Sequence, residues 1–409
     1  MAELKYWIWM NELGINPLLA RRVLEHLGGP KEAFFAERDS FLRIPGITER
    51  ELPALLTKDL DKTVRILGDM QALGGRVLTQ QDAEYPERLR NIDDAPIVLY
   101  VRGRLPLVDN EAVITVAGTR KCSTYGLRAA ARIAGEVTRH GGIVVSGLAS
   151  GVDTAAAQGA LSEGGPVIGV LGCGLERVYP PENLKIFEAV LENGCLVSEY
   201  PPGAPPSRHH FPRRNRIMTG LALALVAVEI PTEKSGVMHS VNHAIDQGRD
   251  VFIVPANIDA RTSMASNKLI AEGFQAASTG WQVLEGYTGQ FPQIKDEEEV
   301  RAARLPVKRQ RDLPVPAVKR RQASTKKEID KPAKEVYIDL EAARKRIMEG
   351  RSEAEQAVLA CLNAEPIHVD EIIAKSGLPV AKVSVCLTTL GIGGYIREHP
   401  GKRYSIQFD

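Results

Sequence analysis

Little in the sequence could staple a small secreted fold. Its five cysteines, Cys122, Cys173, Cys195, Cys361 and Cys386, are far apart and odd in number. No CxxC occurs, so neither a zinc ribbon nor a disulfide framework is expected. A reducing, cytoplasmic setting fits. The longest wholly apolar run, Leu221–Val228, is eight residues, where a membrane helix needs about 20. MAELKYWIWMNELG carries Glu3 early and lacks an apolar stretch of signal-peptide type. Neither charge sign dominates: 52 Lys and Arg face 51 Asp and Glu, for a net charge of +1. That excludes a uniformly basic or acidic chain but not a local patch. GxxxxGK[ST] and HExxH are both absent, which argues against P-loop hydrolysis and that zinc chemistry.

What is present fits two to four ordinary domains, because 409 residues exceed one. Residues 1–80 read as short helices of a helix–hairpin–helix or SAM-like domain. Leu18, Leu19, Val23, Leu24 and Leu27 keep helical spacing until Gly28-Gly29-Pro30. Ile44-Pro45-Gly46-Ile47 then forms a tight turn, with a helix capped by Thr48 and Glu51.

Residues 81–287 alternate β-branched runs with helical stretches. Strands are expected at 113–116, 143–146, 167–171, 196–199, 223–228 and 251–254. Helices are expected at 125–140, 154–164, 181–193, 211–221 and 235–247. This α/β pattern implies a Rossmann-like, doubly wound parallel sheet. Residues 288–350 lack periodicity, and Arg301–Lys334 carries twelve Lys and Arg against three acids. That +9 segment reads as a basic flexible linker, either a plain tether or an attractor of polyanions. Residues 351–409 offer three helical segments and a hairpin, the pattern of a winged helix.

Ligands of doubly wound sheets bind beyond the C-terminal strand ends. Gly118, Thr119 and Arg120 follow the first expected strand; the glycine admits close backbone approach and the guanidinium a phosphate. Ser146 and Gly147 open the glycine- and hydroxyl-rich loop SGLASGVD, whose Asp153 is expected to cap a helix. Phe211, Arg213, Arg214, Asn215 and Arg216 join an aromatic base platform to phosphate-binding arginines. The same arginines could instead pair internally with Glu199 and Glu229. Ser235 and Gly236 open another helix as a phosphate-type cap. His239 and His243 are four apart, but no third ligand accompanies them, so no metal is expected.

Across these residues the chain resembles the DNA-processing protein A family (DprA, also named Smf). The matching runs are YPERL (85–89), AGTR (117–120), YG (125–126), SGLASGVD (146–153), GAL (159–161) and YPPEN (179–183). They continue with SEYPPG (198–203), FPRRNRI (211–217), SG (235–236), GRDVFIVP (248–255) and NKLIAEG (267–273). The resemblance implies a cytoplasmic homodimer, without catalysis or cofactor, that binds and protects single-stranded DNA. It also implies loading of the RecA recombinase in natural transformation and recombination. By the same analogy Gly118, Thr119, Arg120, Ser146, Gly147 and Arg213–Arg216 line the strand-binding pocket. The sequence departs from the family pattern at Ala157, Val237, Ala256 and Ala265, positions that bear on a tight nucleotide pocket more than on an open groove. The alternative is a nucleotide-binding N-glycosidase of the phosphoribohydrolase type. That chemistry needs a glutamate where this chain has His243.

Overall fold

The computed structural model describes residues 3–304, 351–362, 366–392, 395–399 and 402–406. They fall into two compact units divided near residue 311. Most of the basic run expected as a linker lies outside the described residues.

The first unit is built on nine strands: β1 (Gly75–Thr79), β2 (Val98–Gly103), β3 (Val113–Gly118), β4 (Ile143–Ser146), β5 (Val167–Leu171), β6 (Gly194–Ser198), β7 (Ala224–Val228), β8 (Asp250–Ile253) and β9 (Gln275–Ala276). Their spatial order is β1-β2-β6-β5-β4-β3-β7-β8-β9. Strands β3 to β9 pair in parallel, while β2 runs antiparallel to both β1 and β6. The expected doubly wound α/β sheet is therefore present, with the unforeseen β1 and β2 on one edge. The chain walks outward from β3 to β6, then returns to the other side of β3 as β7. The strand order reverses between β3 and β7, and that reversal opens a crevice at their C-terminal ends.

Strands β4 to β7 are buried along their whole length, because helices cover both faces. Alternate residues feed two cores. Ile114 and Val116 face the core of helices Thr124–Arg139, Val152–Ser162 and Leu184–Glu192. Val113 and Ala117 face the core of His210–Leu221 and Gly236–Asp246.

The N-terminal helices also share a core with the sheet: Trp7, Ile8 and Met10 belong to the cluster that holds Ile97, Tyr100 and Ile114. Asn16 caps Pro17–Leu27 by accepting from the Leu18 N–H at 2.9 Å, and Gly28 ends it at φ 88°. Thr48 and Glu51 bond each other as expected, but the helix starts only at Leu52. Folded structure continues beyond residue 287. Phe291, Ile294 and Val300 are buried, and Lys295 N–H donates to His140 O at 2.9 Å.

The second unit has helices Glu353–Cys361, Val369–Ser376 and Val380–Ile392. Strands β10 (Ile367–His368), β11 (Ile396–His399) and β12 (Arg403–Ile406) form an antiparallel sheet in the order β10-β12-β11. Val358, Leu359, Ile372, Val383, Leu387 and Ile406 make its core. Three helices and a small sheet are the winged-helix arrangement read from the sequence. Among the described residues, no single helix is long and apolar enough to cross a membrane.

Helices Thr124–Arg139 and Val152–Ser162 meet where Gly159 has no side chain; a Cβ there would lie 2.1 Å from Ala131 O. Gly159→Ala is expected to lower stability by about 1–3 kcal/mol through overpacking. Gly68→Ala, in an exposed helical position with open space, should instead stabilise by about 0.5–1 kcal/mol. Thermal melts of the two variants should shift in opposite directions.

Candidate functional site

The crevice between β3 and β7 is a groove of about 850 Å³. Its wall at β3 is made by Gly118, Thr119 and Arg120. Gly118 must be glycine, because a Cβ there would sit 2.2 Å from Val228 O. From the His210–Leu221 helix come Phe211, Arg214, Asn215 and Met218. Opposite lie Ser235 and Gly236, at the start of the 11-residue helix Gly236–Asp246. Ser235 Oγ is buried, makes no cap bond and has no hydrogen-bond partner among the described residues. Space beside Gly236 is open.

Among the described residues, four cations line the groove, Arg120, Lys121, Arg208 and Arg214, against one carboxylate, Asp153. The Arg120 guanidinium lies 4.6 Å from the Phe211 ring centre. The Tyr179 ring lies 5.4 Å from Phe211 at a tilt of 34°. Two aromatic faces and a guanidinium plane thus stand side by side, the set that stacks on bases.

Arg214 is only 3% exposed. Its Nη1 donates to Val170 O, while Nε has no hydrogen-bond partner among the described residues. Burial pulls its pKa down, and Asp153 opposes that. Burial likewise raises Asp153, against the pull of Arg214 and of backbone bonds at Ala149 and Gly118. Asp153 does not cap its helix as expected. It lies in the first turn, inside the helix, and Gly151 holds the N-cap position.

Several expected pocket residues lie elsewhere. Arg216 is 1% exposed and does not reach the groove. Its Nη2 donates to Glu199 Oε1 at 2.6 Å, and its Nε is 2.9 Å from Asp94 Oδ2. Burial works against its charge, yet Glu199 and Asp94 more than offset this and hold its pKa above the ordinary value. Arg213 is exposed beside Glu199, its Nε 3.4 Å from Oε2. Ser146 is buried and braces the loop, donating to Asp153 O at 2.8 Å and accepting from the Leu148 N–H at 3.2 Å. Gly147 makes room for Arg214: a Cβ would meet Nη1 at 2.0 Å. Among the described residues Glu229 pairs with no arginine. It accepts from Ser123 N–H at 2.7 Å and Thr262 Oγ1 at 2.7 Å, and from Ser123 Oγ.

Sequence reading missed Tyr179, Lys121 and Arg208 as groove residues. Tyr179 heads the YPPEN run. Arg208 lies three residues before Phe211 in the same basic stretch, which was the available signal. Asn183, from YPPEN, explains part of that motif: its Nδ2 donates to Leu148 O at 3.0 Å and Thr154 Oγ1 at 2.8 Å, fixing the SGLASGVD loop.

With this geometry in place, comparison with known proteins is decisive. The sequence model of the DNA recombination-mediator protein A family matches residues 76–288, which hold the whole groove. The chain belongs to that family. The DprA winged helix domain matches residues 342–402 of this family member. Protein Smf of Synechocystis sp. is 31% identical over 412 residues, covering 98% of each chain. DNA processing protein DprA of Bacillus subtilis is 34% identical over 55% of this chain and 75% of its own. The X-ray structure of DNA processing protein A from Streptococcus pneumoniae superposes with a TM-score of 0.59 at 30% identity, covering 69% of this chain and 97% of that one. This DprA-family chain is therefore a DNA-processing protein of recombination-mediator type.

Removing one partner of a buried ion pair strands the other charge. Arg216→Leu is expected to cost about 3–5 kcal/mol, and adding Glu199→Leu should recover most of it. Arg120→Ala, at an exposed position, should change stability by no more than about 0.5 kcal/mol. Urea denaturation of the three variants checks this division between structural and free arginines.

Proposed function

We propose that the groove binds single-stranded DNA and that the protein delivers that strand to a RecA-class recombinase. The carrying observation is the groove itself, where Arg120 stacks on Phe211 beside Tyr179 among four cations and one carboxylate. Cations follow a phosphate backbone without reading sequence. Aromatic faces take unpaired bases, whose faces a duplex hides. A protein that covers backbone and bases together also protects the strand. Membership of a recombination-mediator family supports the RecA partnership, the homodimer and action in the cytoplasm during transformation.

The reading is of a binding protein. An N-glycosidase needs a carboxylate free to act on the ribose. Glu199 is held by Arg216, and Glu229 by Ser123 and Thr262. Asp153 is buried at the start of its helix.

Fluorescence anisotropy with a labelled oligonucleotide and its duplex, across a salt series, tests the proposal. Single strands should bind more tightly. Three to four neutralised phosphates give log K a slope of about −2 to −3 against log salt. Phe211→Ala should weaken binding by about 1–3 kcal/mol. No binding of the single strand at low salt would end the proposal, and a nucleotide hydrolysis screen would follow.

A further inference from the structure

A second groove, of about 650 Å³, lies beside the first. Tyr125, Arg128, Asn257, Arg261 and Thr262 line it. Thr262 lines both grooves, so the two adjoin at that side chain.

Its surfaces are prepared for the same ligand chemistry. Arg128 and Arg261 are exposed, and neither enters an ion pair among the described residues. Each leaves a full guanidinium for a phosphate oxygen. Tyr125 is 43% exposed, and its hydroxyl donates to Pro255 O at 2.5 Å. That bond fixes the ring, so little conformational freedom is lost when a base stacks on it. Burial and then Glu229 raise the Tyr125 pKa, which keeps the phenol a donor. The acid beneath the groove, Glu229, is 1% exposed and turned inward onto Ser123 and Thr262. Its charge is spread over those hydrogen bonds rather than offered to a ligand.

We propose that the second groove carries the continuation of the bound single strand, with phosphates on Arg128 and Arg261 and a base on Tyr125. This rests on the first groove binding single-stranded nucleic acid. It adds a longer footprint: short strands fill the first groove, and longer ones pass Thr262 into the second.

The test uses the full chain and labelled oligo-dT of about 6 to about 20 nucleotides, bracketing the footprints common for single-strand binders. Wild type is compared with Arg128→Ala/Arg261→Ala and with Arg120→Ala, after thermal melts confirm that all three are folded. The double variant should bind the longest strands on the order of tenfold more weakly, as loss of charge-assisted contacts implies, and the shortest as wild type does. Its salt slope on long strands should fall by about 1.4, at about 0.7 per phosphate. Arg128→Lys/Arg261→Lys should keep the slope. Arg120→Ala should weaken every length. If the double variant matches wild type at all lengths while Arg120→Ala weakens binding, the continuation is wrong and the first groove stands. A loss equal at every length, as an isolated anion pocket would give, also overturns it. If wild type binds no single strand at low salt, both readings fall together.

Discussion

The groove depends on one buried charge. Arg216 sits in the middle of the His210–Leu221 helix at 1% exposure, where an unpaired guanidinium would cost several kcal/mol. Glu199 and Asp94 meet that charge from two other parts of the chain. Glu199 immediately follows β6, and its backbone carbonyl accepts from Asn11 Nδ2 at 3.2 Å. A single guanidinium thereby sets the helix against the end of β6, and Glu199 ties the N-terminal helices to the same point. Shape-matched apolar residues could replace the pair energetically. What the pair contributes is orientation, because the helix cannot rotate or slide without stranding a charge. The helix is then fixed at an angle that sends its first turn into the crevice.

That angle sorts the FPRRNRI run. Successive helical residues turn by about 100°, so i, i+3, i+4 and i+7 share a face. Phe211, Arg214, Asn215 and Met218 have that spacing, and all four line the groove. Arg216 is two positions from Arg214 and points nearly the opposite way, toward Glu199. Arg213 stays exposed between these directions. Three near-consecutive arginines therefore cannot act together on one phosphate. One orders the fold, one sits buried at the groove with an unpartnered Nε, and one remains at the surface.

The same periodicity marks how far the sequence could be read. Val113, Ile143, Val167 and Val251 head apolar runs, and strands occur at each of these places because parallel strands buried on both faces must be apolar throughout. Strands β1 and β2 escaped notice. Arg76 interrupts the run of β1, which an edge strand tolerates, while β2, paired on both sides, offers only four apolar residues before Arg102-Gly103. Two-residue β9 and β10 are too short for any pattern. In the groove, Gly118, Arg120 and Phe211 were legible because a glycine at a strand end and an aromatic beside arginines state their chemistry locally. Ser146 and Gly147 carry the same composition, but their work is internal: one braces Asp153 and the other clears a path for Arg214. Composition names the chemistry available at a loop. Only tertiary packing says whether a ligand or a neighbouring side chain uses it.

The positions expected from the sequence to depart from the family pattern divide in the same way. Ala157, Val237 and Ala265 are all buried, and each adds to one of the two cores that clamp the sheet. None projects a polar group into the groove, which Val237 also lines. Ala256 differs, because it is only partly buried and lies on the loop bordering the second groove. Asn267 holds that loop at both ends of the residue: its Oδ1 accepts from Ala256 N–H at 3.3 Å, and its Nδ2 donates to Ala256 O at 3.1 Å. Asn267 Nδ2 also donates to Asn257 O at 3.2 Å. A glycine at 256 would add backbone freedom that this asparagine must then restrain. With alanine at 256, these three bonds from Asn267 restrain the wall beside Tyr125. If the proposed strand enters there, a restrained wall adds little to the entropy already lost in ordering the strand, whereas a mobile wall would add its own cost.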